Sequence, residues 1–288
     1  MNATSVDEEF NPSVHVYEPH KVGLPPLRPY FKALWERREF AAEMSRTGIR
    51  AANTNTFFGQ VWLVLNPLLL AAVYYLLVDI IAGGAAKDDA GARFAHMCGG
   101  LFVFYYFSSA MLSGAASVVG GGKLLMNMSF PRMLLPLAAL RTAFFRFLPT
   151  MVVYLGIHLV TGQKWHWAML LAPVFLICLT VFAAGMGMIF GALQVYFRDT
   201  TSFLPYFVRI WLYLSPVLWY ADQAPAKFKG FIQYNPLYSL IGGWTDLLVR
   251  GDVPELKMWL GAGFWAVVAG VIGSLFFMSR EREFVVRL

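Results

Sequence analysis

The chain has 288 residues, of which 58% are hydrophobic and only 14% charged, where a soluble domain carries about a quarter charged residues. That is too little charge to cover a water-exposed surface, and the apolar residues fall in runs long enough to cross about 30 Å of hydrocarbon as helices. A net charge of +6 would point to nucleic acid in a soluble protein; here lysine and arginine flank the apolar runs, where they set orientation and meet anionic lipid.

Residues 1–28 are polar, proline-containing and acidic before turning mildly basic. No apolar run follows a basic start, so they read as a mobile cytoplasmic tail and not as a signal peptide. Between 29 and 56, Tyr30, Phe31, Leu34, Phe40, Ala41 and Met44 recur at helical spacing, with Lys32, Glu36, Arg37, Glu39 and Glu43 on the polar side. Trp35 and the basic pair Arg37-Arg38 suit the headgroup zone, which predicts an amphipathic helix along the membrane and a linker after it.

The transmembrane domain is expected from 57 to 288. A first span covers 57–81, with a kink at Asn66-Pro67. A second covers about 97–119; its Ser109, Ser113 and Ser117 stand at four-residue spacing beside Ala110 and Gly114, a small-residue strip that lets another helix come close. A short basic connection with glycines at 120–122 and Pro131 precedes a third span, 134–160, unusual for carrying Arg141 and Arg146. The fourth span, 167–196, has Gly187 and Gly191 at close-packing spacing. Arg198-Asp199 ends it, and a fifth follows at 203–220 with Arg209 and Pro216.

Within 221–256 the piece FIQYNPLYSLIGGWTDLLV is apolar enough to enter the membrane. Asn235-Pro236, Gly242-Gly243 and Asp246 make a lipid-facing span unsuitable, so a re-entrant helical hairpin is expected between helices five and six. The last span covers 258–278. Six spans place both termini on one side, with thirteen Lys and Arg there. Lys87, Arg93, Lys164, Lys227, Lys229, Arg250 and Lys257 lie opposite. This bias puts both termini in the cytoplasm of a multi-pass plasma-membrane protein.

No catalytic constellation is visible. Gly120-Gly121-Gly122-Lys123 lacks the spacing of a phosphate loop, His158 and His166 have no acidic ligand set near them, and Cys98 and Cys178 have no partner at metal-site spacing. The chain therefore reads as a non-enzyme, with no cofactor or metal of its own and no nucleic acid as partner. An ion gradient or a partner subunit must drive it. Gradient-driven transporters often hold acidic residues deep in their spans, and only Asp79 approaches that description.

The segments FFGQVWLVLNPLL at the start of span one, NMSFPRMLLPL after span two, VYFRDTTSFLPYFVRIWLYLSPVLWY and YNPLYSLIGGWTDLLVRG stand in that order behind the amphipathic helix. In this the chain, over about 30–288, resembles the permease subunits of ABC-2 type exporters that move lipid-linked polysaccharides such as O-antigen, teichoic acid or an actinobacterial galactan. The resemblance implies an all-α polytopic permease of six helices, working as a homodimer with two copies of a cytoplasmic ABC ATPase that binds the ATP and Mg. It implies export of a polyprenyl diphosphate-linked glycan from the cytoplasmic side. A gradient-driven exporter of an amphiphilic or lipid-linked substrate is the alternative.

The same resemblance assigns Trp35, Arg37, Arg38, Lys123, Asn127, Phe130, Pro131, Arg132, Arg198 and Asp199 to ATPase coupling, and Pro216, Asn235 and Pro236 to shaping an outer gate. A plain interhelical turn, with Asp199 capping the next helix, is the other reading of Arg198-Asp199. Phe104, Tyr105, Tyr106, Trp211, Tyr213 and Trp219 are candidates for stacking on sugar faces, against a role in packing or facing lipid. Arg141 lies near enough to the interface to snorkel. Arg146 lies deeper, where an arginine is costly unless it pairs, reaches water or meets a substrate phosphate.

Overall fold

A computed structural model describes residues 23–51, 58–81, 90–219, 230 and 232–288. The expected tail lies almost wholly outside the described residues, as do the linker after residue 51 and most of the hairpin's first arm. Every regular element among the described residues is helical. α1 (Leu27–Glu36) and α2 (Arg38–Ala51) are followed by α3 (Trp62–Ile81), α4 (Ala90–Gly120), the short α5 (Gly122–Asn127), α6 (Leu134–Val160), α7 (Ala172–Tyr196) and α8 (Thr200–Tyr213). After them come α9 (Pro236–Thr245), α10 (Leu256–Arg280) and a last turn, α11 (Phe284–Arg287). Four stretches among the described residues are long and apolar enough to cross a membrane: Gly91–Gly120, Leu134–Val160, Trp167–Tyr196 and Leu256–Arg287.

The chain is thus an all-α polytopic membrane protein. α4 is the central column. From Leu101 to Met111 most of its side chains are buried, and it packs on α3, α6 and α7. It starts at Ala90, seven residues before the position read from hydropathy, because a helix is carried by backbone bonds into the polar zone where apolar content no longer marks it.

Close approach of α4 to α7 runs through the expected small residues: a Cβ on Gly187 would sit 3.4 Å from Gly114 Cα, and one on Gly191 would sit 3.2 Å from Gly114 O. The closer crossing was not read from sequence. Gly185 on α7 lies against the backbone of Ala269 and Gly270 on α10, and Gly273 lies back against Gly185, with no room for a methyl group at either position. In hydrocarbon, where lipid tails are as apolar as leucine, such backbone proximity supplies the dispersion that holds helices together.

The single amphipathic helix expected near the start of the chain is two helices, broken at Arg37. α2 meets α6 in steps: Ala41 packs with Ala138, Thr142 Oγ1 donates to Ser45 Oγ at 3.1 Å, and Arg146 Nη2 donates to the Gly48 carbonyl at 3.1 Å. The contacts advance together along both helices, so α2 rises beside α6 for about two turns. α8 is 14 residues long, about 21 Å at 1.5 Å per residue, and stops short of a full crossing. α9 sinks into the bundle instead of facing lipid, with Leu237 and all of 239–245 buried.

Two ends of the bundle follow from these contacts. The near end gathers α1, α5, 128–132, the end of α7 and 281–288. The far end gathers the start of α4, the 161–166 turn and 246–258: a Cβ on Gly91 would touch Thr161, and Gly251, at φ +69, lies against the His166 ring.

Gly185→Ala is expected to force α7 from α10 and cost about 1–3 kcal/mol, lowering Tm in detergent. Gly187→Ala, with ordinary contact distances, should shift it less. Equal shifts would refute the closer α7–α10 crossing.

Candidate coupling face and far-end break

At the near end the sequence-predicted coupling residues divide into those that knit the face together and those that project from it. The Arg37 guanidinium, at the α1–α2 break, donates to the Ser129 carbonyl, and the rings of Phe40 and Phe130 lie 5.1 Å apart. Pro131 sits in the tight turn that starts α6, where its carbonyl accepts from Leu134 N at 3.1 Å. Arg132 donates to the carbonyl of Glu281, beyond the end of α10. Trp35 is 68% exposed, with the Arg38 guanidinium 4.9 Å above its ring. Lys123 is exposed on α5, and Asn127 Nδ2 donates back to its carbonyl at 2.8 Å. Arg198 is exposed and lines, with Lys123 and Arg287, a cavity of about 410 Å³ that also reaches Gln194 and Leu288.

Asp199 occupies the N-cap position of α8, but its side chain makes no cap bond. Helix entry is secured by Thr200 Oγ1 donating to the Phe197 carbonyl at 2.7 Å. Two groups that sequence reasoning passed over lie at the centre of this face. Tyr30 Oη donates to Glu281 Oε2 at 2.6 Å in a buried contact. Burial, and then the neighbouring Glu281 carboxylate, pushes the Tyr30 hydroxyl pKa well up, and burial draws Arg132 below the usual guanidinium range. Tyr30 alone among the expected apolar face of α1 carried a hydroxyl, but the sequence gives no sign of its distant acceptor.

The aromatic candidates divide between the core and the break at the end of α8. Phe104 and Tyr106 are core residues: Phe104 lies edge-on to Phe107 at 6.0 Å, while Tyr106 stacks on Phe147 at 4.9 Å and shares a 2.8 Å hydrogen bond with Thr180. Tyr105 is half-buried. Trp211, Tyr213 and Trp219 come together where α8 breaks, and Trp219 Nε1 donates to the Tyr213 carbonyl at 3.3 Å. Tyr213 belongs to an exposed strip of α8 that includes Phe203, Tyr206 and Ile210. Phe203 and Tyr206 were not singled out from sequence, although their three- to four-residue spacing to Ile210 and Tyr213 was there to read.

Asn235 is the hub of the break. Its Oδ1 accepts from Trp211 Nε1 at 2.8 Å and caps α9 by accepting from Leu237 N at 3.1 Å; its Nδ2 donates to the Leu214 carbonyl at 3.0 Å and to Ser215 Oγ at 3.2 Å. Pro236 at N1 lacks the N–H that a helix start would leave orphaned. Pro216 is buried in the turn beyond α8. Arg146 stands apart from this cluster: one nitrogen bonds Gly48, and its Nε is buried without a partner. Arg141 lies 5.3 Å over the Phe145 ring. No group of three or more His, Cys, Asp or Glu able to hold a metal occurs among the described residues.

Residues 38–248 match the ABC-2 type transporter family. The chain is 29% identical over 203 residues to an O-antigen export system permease protein, RfbA, of Klebsiella pneumoniae, spanning 69% of this chain and 76% of that protein. A protein of the same description from Myxococcus xanthus is 24% identical over 255 residues, 88% of this chain and 96% of its own length.

Asn235→Ala removes the α9 cap and orphans the Leu214 and Trp211 groups. It is expected to cost about 2 kcal/mol, read as a lower Tm in detergent. A Tm equal to the parent's would show that the break holds without its hub.

Proposed function

The chain belongs to the ABC-2 type transporter family, and on that premise we propose that it is the membrane permease of an ATP-driven exporter whose cargo is a polyprenyl diphosphate-linked polysaccharide. The observation that carries this reading is the near-end face, where α1, α2, 121–132 and the α7–α8 junction are joined at one end of the bundle. A force applied there reaches α6 through the stepped α2–α6 contacts. The likeness to O-antigen export permeases supports a glycan cargo.

In this reading the near end is cytoplasmic, as the excess of lysine and arginine on that side favours. Two copies of a separate ATPase, which supplies the ATP and Mg site, dock on Trp35, Arg37, Arg38, Lys123, Asn127, Phe130, Pro131, Arg132, Arg198 and Asp199. Residues 1–28 form a tail, 29–56 the interfacial helices and their linker, and 57–288 the transmembrane domain. α3, α4, α6, α7, α8 and α10 make six crossings, α8 completing its own through the buried turn at 215–217. α9 is the second arm of a re-entrant hairpin whose Asn235, Pro236 and Pro216 shape the outer gate.

Two permease copies enclose the route. The exposed α8 strip with Tyr206 and Tyr213 offers flat apolar ring faces to sugar C–H surfaces while hydroxyls stay hydrated. Tyr105, Trp211 and Trp219 lie behind or beside it; Phe104 and Tyr106 back the wall from the core. Arg146, with a buried unpartnered Nε, contacts the diphosphate of the lipid carrier where α2 meets α6.

The permease should copurify with an ATPase subunit, and its export should be vanadate-sensitive. Export that survives vanadate but collapses with the proton or sodium gradient would favour the gradient-driven alternative. Arg146→Gln should reduce export about tenfold, the value of one charge-assisted contact, at unchanged membrane insertion; full export would remove the charge from the mechanism.

A further inference from the structure

Residues 281–288, which follow α10, were read from the sequence only as a basic flank. They touch α1, α5, the 128–132 turn and the end of α7. Glu281 and Tyr30 are each under a tenth exposed. The Glu281 carboxylate accepts from Tyr30 of α1, and its main-chain carbonyl accepts from Arg132 of the 128–132 turn. Two residues on, Glu283 Oε2 accepts from Tyr196 Oη at 2.7 Å, at the end of α7. The Arg287 guanidinium lies 4.4 Å over the Tyr196 ring and donates to the same carboxylate at 3.4 Å. Phe284 is fully buried with its ring 5.2 Å from Phe277 of α10, and Leu288 reaches Gly122 at the start of α5.

The segment also lines two cavities of the face. One, of about 660 Å³, is lined by Tyr30, Arg37, Asn127, Arg132, Glu281 and Arg282. The other is the basic cavity of about 410 Å³ with Lys123, Arg198 and Arg287. A push delivered in either cavity meets a carboxylate of this segment or the group bonded to it. A buried carboxylate is costly unless hydrogen-bonded; Tyr30 supplies that bond to the Glu281 carboxylate, while Arg132 of a second element holds the main-chain carbonyl of the same residue.

We propose that 281–288 is a clasp which makes α1, 128–132 and the end of α7 move with α10 as one body, with Glu281 and Tyr30 as its positioning residues. The proposal rests on the coupling role assigned above to α1 and 128–132. Neither residue touches substrate or nucleotide; each acts by holding the docking elements in register with the last span. The motion is then rigid at the near end, and the deformation that opens a route is taken up elsewhere.

The test uses the full permease with its ATPase in proteoliposomes, reading ATPase copurification, ATP hydrolysis and glycan export side by side. Tyr30→Phe removes the donor and Glu281→Ala the acceptor; each should leave ATPase bound and hydrolysing while export per ATP falls about tenfold, the worth of one buried hydrogen bond to a charged group. Glu281→Gln keeps an acceptor of the same size and should restore most of the export, while Tyr30→Phe keeps the ring and loses only the donor, so its deficit cannot come from space filling. The Tyr30→Phe/Glu281→Ala double variant should be no worse than the poorer single variant. Joining Tyr30→Cys to Glu281→Cys with a short bifunctional thiol reagent should leave export intact. Export blocked by that link, or single variants with unchanged export per ATP, would overturn the clasp. A parent permease that retains no ATPase sinks the coupling reading; a parent that retains it, with variants indistinguishable from it, sinks the clasp alone.

Discussion

The structure turns on the rule that backbone N–H and C=O groups cannot go unpaired in hydrocarbon. Long helices obey it largely by themselves: α4, α7 and α10 run without an interior proline, and α6 carries one at Pro149. The described residues around Pro216 and Pro236 cannot, because each proline interrupts the helical ladder. There the protein supplies what the helix does not: Asn235 bonds the frayed end of α8 and the open start of α9 together, and Ser215 Oγ donates to the Trp211 carbonyl at 2.7 Å. α9 is then buried on nearly all sides, and Asp246, out of place on a lipid-facing span, lies 3.9 Å from Arg250 in the π-turn that follows.

Polar contacts at the near end obey a different economy. Water is close, so exposed pairs such as Lys32–Glu36 and Arg46–Glu43 contribute little. The contacts that fix geometry are those shielded by apolar neighbours: Tyr30 with Glu281, Thr142 with Ser45, Arg146 with Gly48. Each ties α1 or α2 to α6 or to the turn that follows α10, so these two short helices and the bundle are mechanically one object at this end.

Much of this was legible in the chain because hydrocarbon leaves few options. α6 runs over the residues read from hydropathy, Leu134–Val160, and the small strip around Gly114 does meet Gly187 and Gly191. Pattern failed where the deciding partner lies far along the chain. Nothing near Gly185 announces the backbone of Ala269, and Tyr30 gives no hint of an acceptor 251 residues away. The aromatic candidates illustrate the same limit: YY in α4 and WLY in α8 look alike on paper, yet Tyr106 is sealed in the core and Tyr213 is half-exposed, because only packing decides which side of a helix is inside. The break of the first amphipathic helix at Arg37 was likewise hidden, since Arg37 finds its acceptor on Ser129.

The contact of Gly185 with the backbone of Ala269 and Gly273 has a consequence for biogenesis. α7 leaves the ribosome well before α10 exists, so its glycine face waits in the lipid as an open groove of bare main chain. In the finished bundle it is α10 that fills it. A chain cut short before α10 would leave that groove without the helix that closes it.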